Sequence, residues 1–98
     1  MGNALTIAKQ TDGALRWQVH KADGAMVMRF STKAQAALYV RLVAGDLTAA
    51  PAFYRAQLAY ARSRMREWDA LSFAIYSAQA FGLSPETVGA DPATGLPQ

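Results

Sequence analysis

Few side chains in this chain are of a type that does chemistry, and their spacing keeps them apart. His20 is the single histidine and cysteine is absent. A multi-histidine metal centre and a thiolate nucleophile are both excluded within one chain. Glu67 and Asp69 are two residues apart in a run of helical periodicity, and at that spacing they point in different directions. Asp12, Asp23 and Asp46 fall in stretches that read as turns, and no glycine-rich phosphate cradle occurs. A triad would have to carry His20 to a distant serine and acid, which no spacing supports. The expectation is a protein that is not an enzyme, with no cofactor and no metal.

Patterned cations are more informative. Arg16, Gln18, His20 and Arg29 alternate with apolar residues, so as strand residues they share one face, with Lys9 and Lys21 at its rim. Arg55, Arg62 and Arg66 fall on one side of a helical run, "RAQLAYARSRMREWD", which has four arginines before its first acid. Arg64 with Glu67 and Arg66 with Asp69 are also i,i+3 pairs, so this is a solvated face first and a binding face second. These seven residues, Arg16, Gln18, His20, Arg29, Arg55, Arg62 and Arg66, are the candidate macromolecule-binding set.

The elements that must position them follow from turn and period signals. Asp12-Gly13 and Asp23-Gly24 sit between alternating apolar residues, the pattern of tight hairpin turns. They predict strands at about 4–10, 14–21 and 25–31. Leu5, Ile7, Leu15, Trp17, Val19, Met26, Met28 and Phe30 form one oily face; Thr6, Ala8, Arg16, Gln18, His20, Val27 and Arg29 form the other. Met26 and Met28 read as core rather than as an adaptable binding surface. In "STKAQAALYVRLVAGD", Thr32 and Gln35 make a capping box and Gly45 stops the helix, giving a helix over 32–45. It is apolar around much of its circumference and belongs on the oily sheet face.

Residues 49–82 form the longest periodic run, with Pro51 suited to a first helical turn. Tyr54, Leu58, Ala61, Met65, Trp68 and Ile75 fall on one stripe. One helix of about 30 residues would reach roughly 45 Å and overhang a domain whose radius of gyration is about 13 Å. Either it breaks at "REWD" with Asp69 capping the second half, which is the preferred reading, or the 52–81 overhang packs against a second copy.

"AFGLSPETVGADP" has the residue order of a helix-turn-helix turn. The helix it would open meets Gly89 and Pro92 at once, and no Lys or Arg follows Arg66. A major-groove reading helix needs more length than that, so the stretch reads as a stopped helix and a capped turn. Residues 89–98 read as a flexible tail. "MGNALT" matches a lipidation pattern at Gly2 and Thr6 but reads as the lead-in to a strand.

Together these give an α+β fold: a three-stranded antiparallel meander packed by a short helix, then a long or broken helix and a tail. A single globular domain over 1–88 is expected. Trp17, Val19, Met28, Phe30, Leu38, Leu42, Leu58, Met65 and Trp68 form the expected core. The composition, 52% hydrophobic and 17% charged, is that of a folded chain rather than a disordered one. The first fifty residues hold six basic and three acidic groups and carry the whole net charge of +3, a mild pointer to an anionic partner. No basic leader precedes an apolar run and no segment suits a membrane span, so a cytoplasmic location without membrane contact is expected.

The leading functional reading is a small protein-binding or regulatory module, an inhibitor or adaptor with a homodimer through 52–81 as one form. The alternative is DNA binding by the basic sheet face, where Arg pairs with guanine and Gln with adenine. The order of three strands and then a helix opened by "FSTKAQA" resembles integrase arm-site DNA-binding domains over residues 4–45, in pattern only and without a diagnostic motif. That resemblance implies a sheet that enters the major groove. A phage- or mobile-element-encoded antagonist of a nucleoprotein complex would span both classes.

Overall fold

The computed structural model describes residues 5–10, 13 and 15–98. Gly2 of the lipidation pattern and Asp12 of the first Asp-Gly pair lie outside them. The fold is α+β: strands β1 (Thr6–Lys9), β2 (Trp17–His20) and β3 (Met26–Phe30), then helix α1 (Lys33–Val43). A 3-10 turn (Leu47–Ala49) leads into α2 (Ala50–Arg62), α3 (Glu67–Ala80) and α4 (Pro85–Val88). Where the sequence reading expects one domain over 1–88, the chain divides into two compact units, Met1–Asp46 and Leu47–Gln98.

The first unit is an antiparallel sheet in the order β1-β2-β3. The second Asp-Gly pair does what its type implies. Gly24 N–H donates to Lys21 C=O at 2.9 Å, Lys21 N–H donates to Ala25 C=O at 2.9 Å, and Ala25 N–H donates to the Asp23 carboxylate at 2.9 Å. Gly24 closes the turn at φ 90°, a conformation that favours glycine. Facing pairs fix which side chains share a side: Ile7 with Val19, Lys9 with Trp17, Trp17 with Phe30, Val19 with Met28.

A bulge between Val19 and His20 places Met26, not Val27, opposite His20. The extra residue shifts the alternation by one, so Met26 leaves the oily face, contrary to expectation, and is 49% exposed. Lys9, expected at the rim of the polar face, is on the inner side, where regular β1–β2 pairing puts it with Ile7. It faces Trp17 with its Nζ 5.6 Å from the ring, and Lys33 lies over the same ring at 5.8 Å.

Helix α1 contacts all three strands. Its capping box is present: Gln35 N–H donates to Thr32 Oγ1 at 3.2 Å and Thr32 N–H donates to Gln35 Oε1 at 3.1 Å. Ser31 also donates to that oxygen at 2.7 Å, which lets the Gln35 amide be buried without an unmet acceptor. At the far end Gly45 N–H reaches Leu42 C=O and Asp46 N–H reaches Arg41 C=O, both at 3.0 Å, the paired bonds of a glycine-terminated helix. Val19, Phe30, Ala36 and Tyr39 are buried, with the Phe30 and Tyr39 rings 5.4 Å apart.

In the second unit the long run breaks, but at 63–66 rather than at an Asp69 cap. Ser63 Oγ donates back to Tyr60 C=O at 2.6 Å, Met65 N–H closes on Ala61 C=O, and Arg66 is extended at ψ 157°. Charge order favours the break: Arg62 ends one helix while Glu67 and Asp69 lie in the first turn of the next, each sign matched to its helix terminus. Ring pairs Phe53–Phe81 and Tyr60–Phe73 show α3 running back along α2. The buried alanines Ala70, Ala74 and Ala78 let the two backbones approach.

The break also resets helical phase. Tyr54, Leu58 and Ala61 stay buried, but Met65 is 37% exposed and Trp68 80% exposed, so both leave the expected core. Helix α4 has only four residues, too short to read a groove. Residues 89–98 are built into this unit and are not a loose tail. Ala90 pairs with Pro97, Gly95 N–H donates to Asp91 C=O at 2.7 Å, Gln98 N–H donates to Gly89 C=O at 2.8 Å, and the buried Tyr54 hydroxyl donates to Gly95 C=O.

Gly95 has φ 78°, and a Cβ there would lie 2.7 Å from Ile75 Cδ1 and 3.2 Å from the Tyr54 hydroxyl. Gly95→Ala is therefore expected to cost about 1–3 kcal/mol through strain and overpacking, measurable by urea unfolding; unchanged stability would show the loop is not held as described. Burial raises the pKa of Tyr39, and of Tyr54 against an opposing pull from the Arg62 charge. The unfolded tyrosines then lose their protons first, so stability is intact below pH about 10 and falls as pH rises through the folded values. Tyr39→Phe and Tyr54→Phe variants should flatten that alkaline slope.

Candidate binding surfaces

The seven candidate residues divide between the two units. Arg16, Gln18, His20 and Arg29 belong to the first unit, and Arg55, Arg62 and Arg66 to the second. In the first unit Gln18 faces Arg29 across β2 and β3, and Ala8 across β1 and β2, on the side opposite the Val19–Phe30 face. Gln18 Oε1 accepts from Gln10 Nε2 at 3.2 Å and is hydrogen-bonded with His20 Nε2 at 2.9 Å. Arg16 Nε donates to Gly13 C=O at 3.0 Å, which ties it to the β1–β2 turn. Arg29 is exposed and its Nε lies 3.4 Å from the Met26 sulfur; among the described residues it has no carboxylate partner. Thr6, Ala8, Gln18, His20, Met26 and Arg29 bring no acid to this side.

In the second unit Arg62 is already engaged. Its Nε and Nη2 grip the Glu67 carboxylate at 2.8 and 2.7 Å across the α2–α3 corner. That hydrogen-bonded fork raises the arginine's pKa and holds the Glu67 carboxyl below its ordinary range. Arg62 therefore closes a corner rather than offering a free cation. Arg55 is exposed on α2. Arg66 is the N-cap residue of α3 and makes no side-chain cap bond.

The outer side of α3 is a surface that sequence reasoning missed. Trp68 is 80% and Tyr76 73% exposed. With Ser72 between them they stand at i, i+4 and i+8, one side of a helix. From Ala70 to Ala80 no residue is charged. The signal was present in the sequence: those eleven residues are apolar in nearly every helical phase, which is more than one buried stripe can use. The stripe drawn through Tyr54, Leu58 and Trp68 hid it by assuming one continuous helix.

Among the described residues no three His, Cys, Asp or Glu side chains cluster as a metal site, and no helix is long and apolar enough to cross a membrane. A cavity lined by Tyr54, Ile75, Leu83, Val88, Asp91 and Gly95 has about 20 Å³, room for one water molecule and not for an organic substrate. Comparison with known protein families, with curated proteins and with solved structures finds no match for this chain.

Proposed function

We propose that this chain is a small non-enzymatic docking module that acts in a cytoplasmic setting, as an adaptor or inhibitor, by seating the outer side of α3 on a macromolecular partner. The observation that carries the reading is the pair of exposed aromatics, Trp68 and Tyr76, on one side of α3. Interface centres are depleted in charged residues and enriched in Trp and Tyr, and such rings dominate binding energy. A stable monomer gains nothing by holding a tryptophan in water. The test is affinity capture from the native host, with and without nuclease, by the native chain and by a Trp68→Ala/Tyr76→Ala variant. The native chain is expected to retain a nuclease-resistant partner and the variant to bind it at least about 30-fold more weakly. Helical circular dichroism should be unchanged, since both side chains are exposed. Equal retention by the two proteins contradicts the reading.

The first unit favours a second reading. Gln18 and Arg29 side by side, with Arg16 held to Gly13 and no acid between them among the described residues, make a surface suited to duplex DNA. A small sheet can enter the major groove, where Arg is matched to guanine and Gln to adenine. Binding would weaken steeply with salt, because each neutralised phosphate releases a counterion. Replacing Arg16 and Arg29 by Ala should lower affinity and reduce the slope of log K against log salt by up to about 2, measured by fluorescence anisotropy on a labelled duplex. Failure to bind any duplex at low salt removes this reading.

A further inference from the structure

We propose that residues 91–98 are a hinged strap. It lifts off α2 and α3 as one body, on a stem at Gly89 and Ala90, while both helices stay folded, and the Tyr54–Gly95 hydrogen bond is its latch.

The strap is bonded mainly to itself. Asp91 N–H donates to Leu96 C=O at 2.8 Å and Gly95 N–H to Asp91 C=O at 2.7 Å. Ala93 N–H donates to the Asp91 carboxylate at 2.7 Å, and Leu96 N–H to Thr94 Oγ1 at 3.2 Å. None of these bonds has to break for the segment to move. Its two ends close on one place: Gln98 N–H reaches Gly89 C=O and Pro97 pairs with Ala90. A compact loop whose ends meet is held together by its own contacts. Gly89, at φ 70°, supplies the hinge, because a glycine absorbs backbone rotation at little steric cost. The Ala90 N–H bond to Pro85 C=O at 2.9 Å keeps the stem on the end of α4.

Little holds the strap down. Among the described residues, the Tyr54 hydroxyl on Gly95 C=O is the one hydrogen bond from 91–98 to α2 or α3. Gly95 is also the only residue of 91–98 that is buried, and it has no side chain to take out of water. Ala93 and Leu96 are exposed, so closure gains little from apolar burial. Beneath the strap, the cavity of about 20 Å³ beside Tyr54, Ile75 and Gly95 leaves lining atoms without contact partners, which weakens the closed position further. Helices α2 and α3 are joined by the Phe53–Phe81 and Tyr60–Phe73 ring pairs, none of which involves the strap. Parts held so unequally open at different cost, the weaker one first.

The chain has no native cysteine, so a thiol placed under the strap reports its opening. Ala78 on α3 and Val88 on α4 line the cavity. Ala61 and Ala70 are buried and do not line it. Each is replaced singly by cysteine in the full chain, and its reaction with a dithiobis-nitrobenzoate reagent is followed against urea. Any replacement that fails to fold leaves the other of its pair to report. Ala78→Cys and Val88→Cys should react at rates that depend weakly on urea, because lifting the strap exposes little surface. Ala61→Cys and Ala70→Cys should show a steep dependence, because they require the unit to unfold. Tyr54→Phe removes the latch and keeps the ring, and should speed the two cavity thiols about 5–30-fold without denaturant. Equal urea slopes at the two kinds of site overturn the proposal, since the strap then opens only with the whole unit. Shallow slopes that Tyr54→Phe leaves unchanged overturn it as well, since fraying of α3 or α4 then admits the reagent.

Discussion

The chain reversal at 63–66 organises everything that follows it. An apolar run of this length has two ways to satisfy itself: to extend beyond its own domain or to fold back. Folding back requires four residues that abandon the helix while their backbone groups find partners. Ser63 on Tyr60 C=O, Met65 on Ala61 C=O and the Arg62–Glu67 fork supply that closure. Once α3 runs back along α2, alanines 70, 74 and 78 face the partner helix, and the groove left beside them is filled by α4 and residues 89–98. The same reversal turns Trp68 outward. Burial on one side of α3 and exposure on the other are thus two results of one geometric event.

In the first unit the comparable constraint is the bulge in β3. It lies outside the Asp-Gly turn and so does not disturb it, yet it moves one methionine from the inner to the outer side. The inner side keeps Val19 and Phe30 under α1, with Trp17 framed by two lysine ammonium groups that can stay hydrated while facing its ring. The outer side gains a thioether beside Arg29. The two sides are therefore chemically distinct, which allows one to hold the helix while the other remains free for contact.

Much of this was legible in the residues. The α+β class, the strand order, the capping box at Thr32 and Gln35, the stop at Gly45 and the position of Pro51 all rest on local rules that depend on a few neighbours. What was not legible depended on phase or on distance. A single extra residue in β3 changed the side occupied by Met26, and no composition signal marks a bulge. The helix break came before Asp69, so a stripe extended through it placed Met65 and Trp68 in a core they do not join. Residues 89–98 look like a solvated tail because their composition is that of one; only Tyr54, 41 positions from Gly95, supplies the anchor. Of the candidate site, the Gln18–Arg29 neighbourhood was foreseeable from alternation, whereas Trp68 had been assigned to the interior and Tyr76 to no surface.

The Tyr54–Gly95 tie has a consequence for synthesis on the ribosome. The first unit is built from sequential hairpins and the helix that follows them, so its contacts become available in the order in which the chain emerges. The second unit cannot complete its interior until Gly95 has been made, because the loop that covers Tyr54 follows both helices in the chain. Until then the apolar sides of α2 and α3 lack their lid. The nascent chain therefore presents a finished sheet-and-helix unit followed by a helical one that stays unfinished until residues 89–98 seal it.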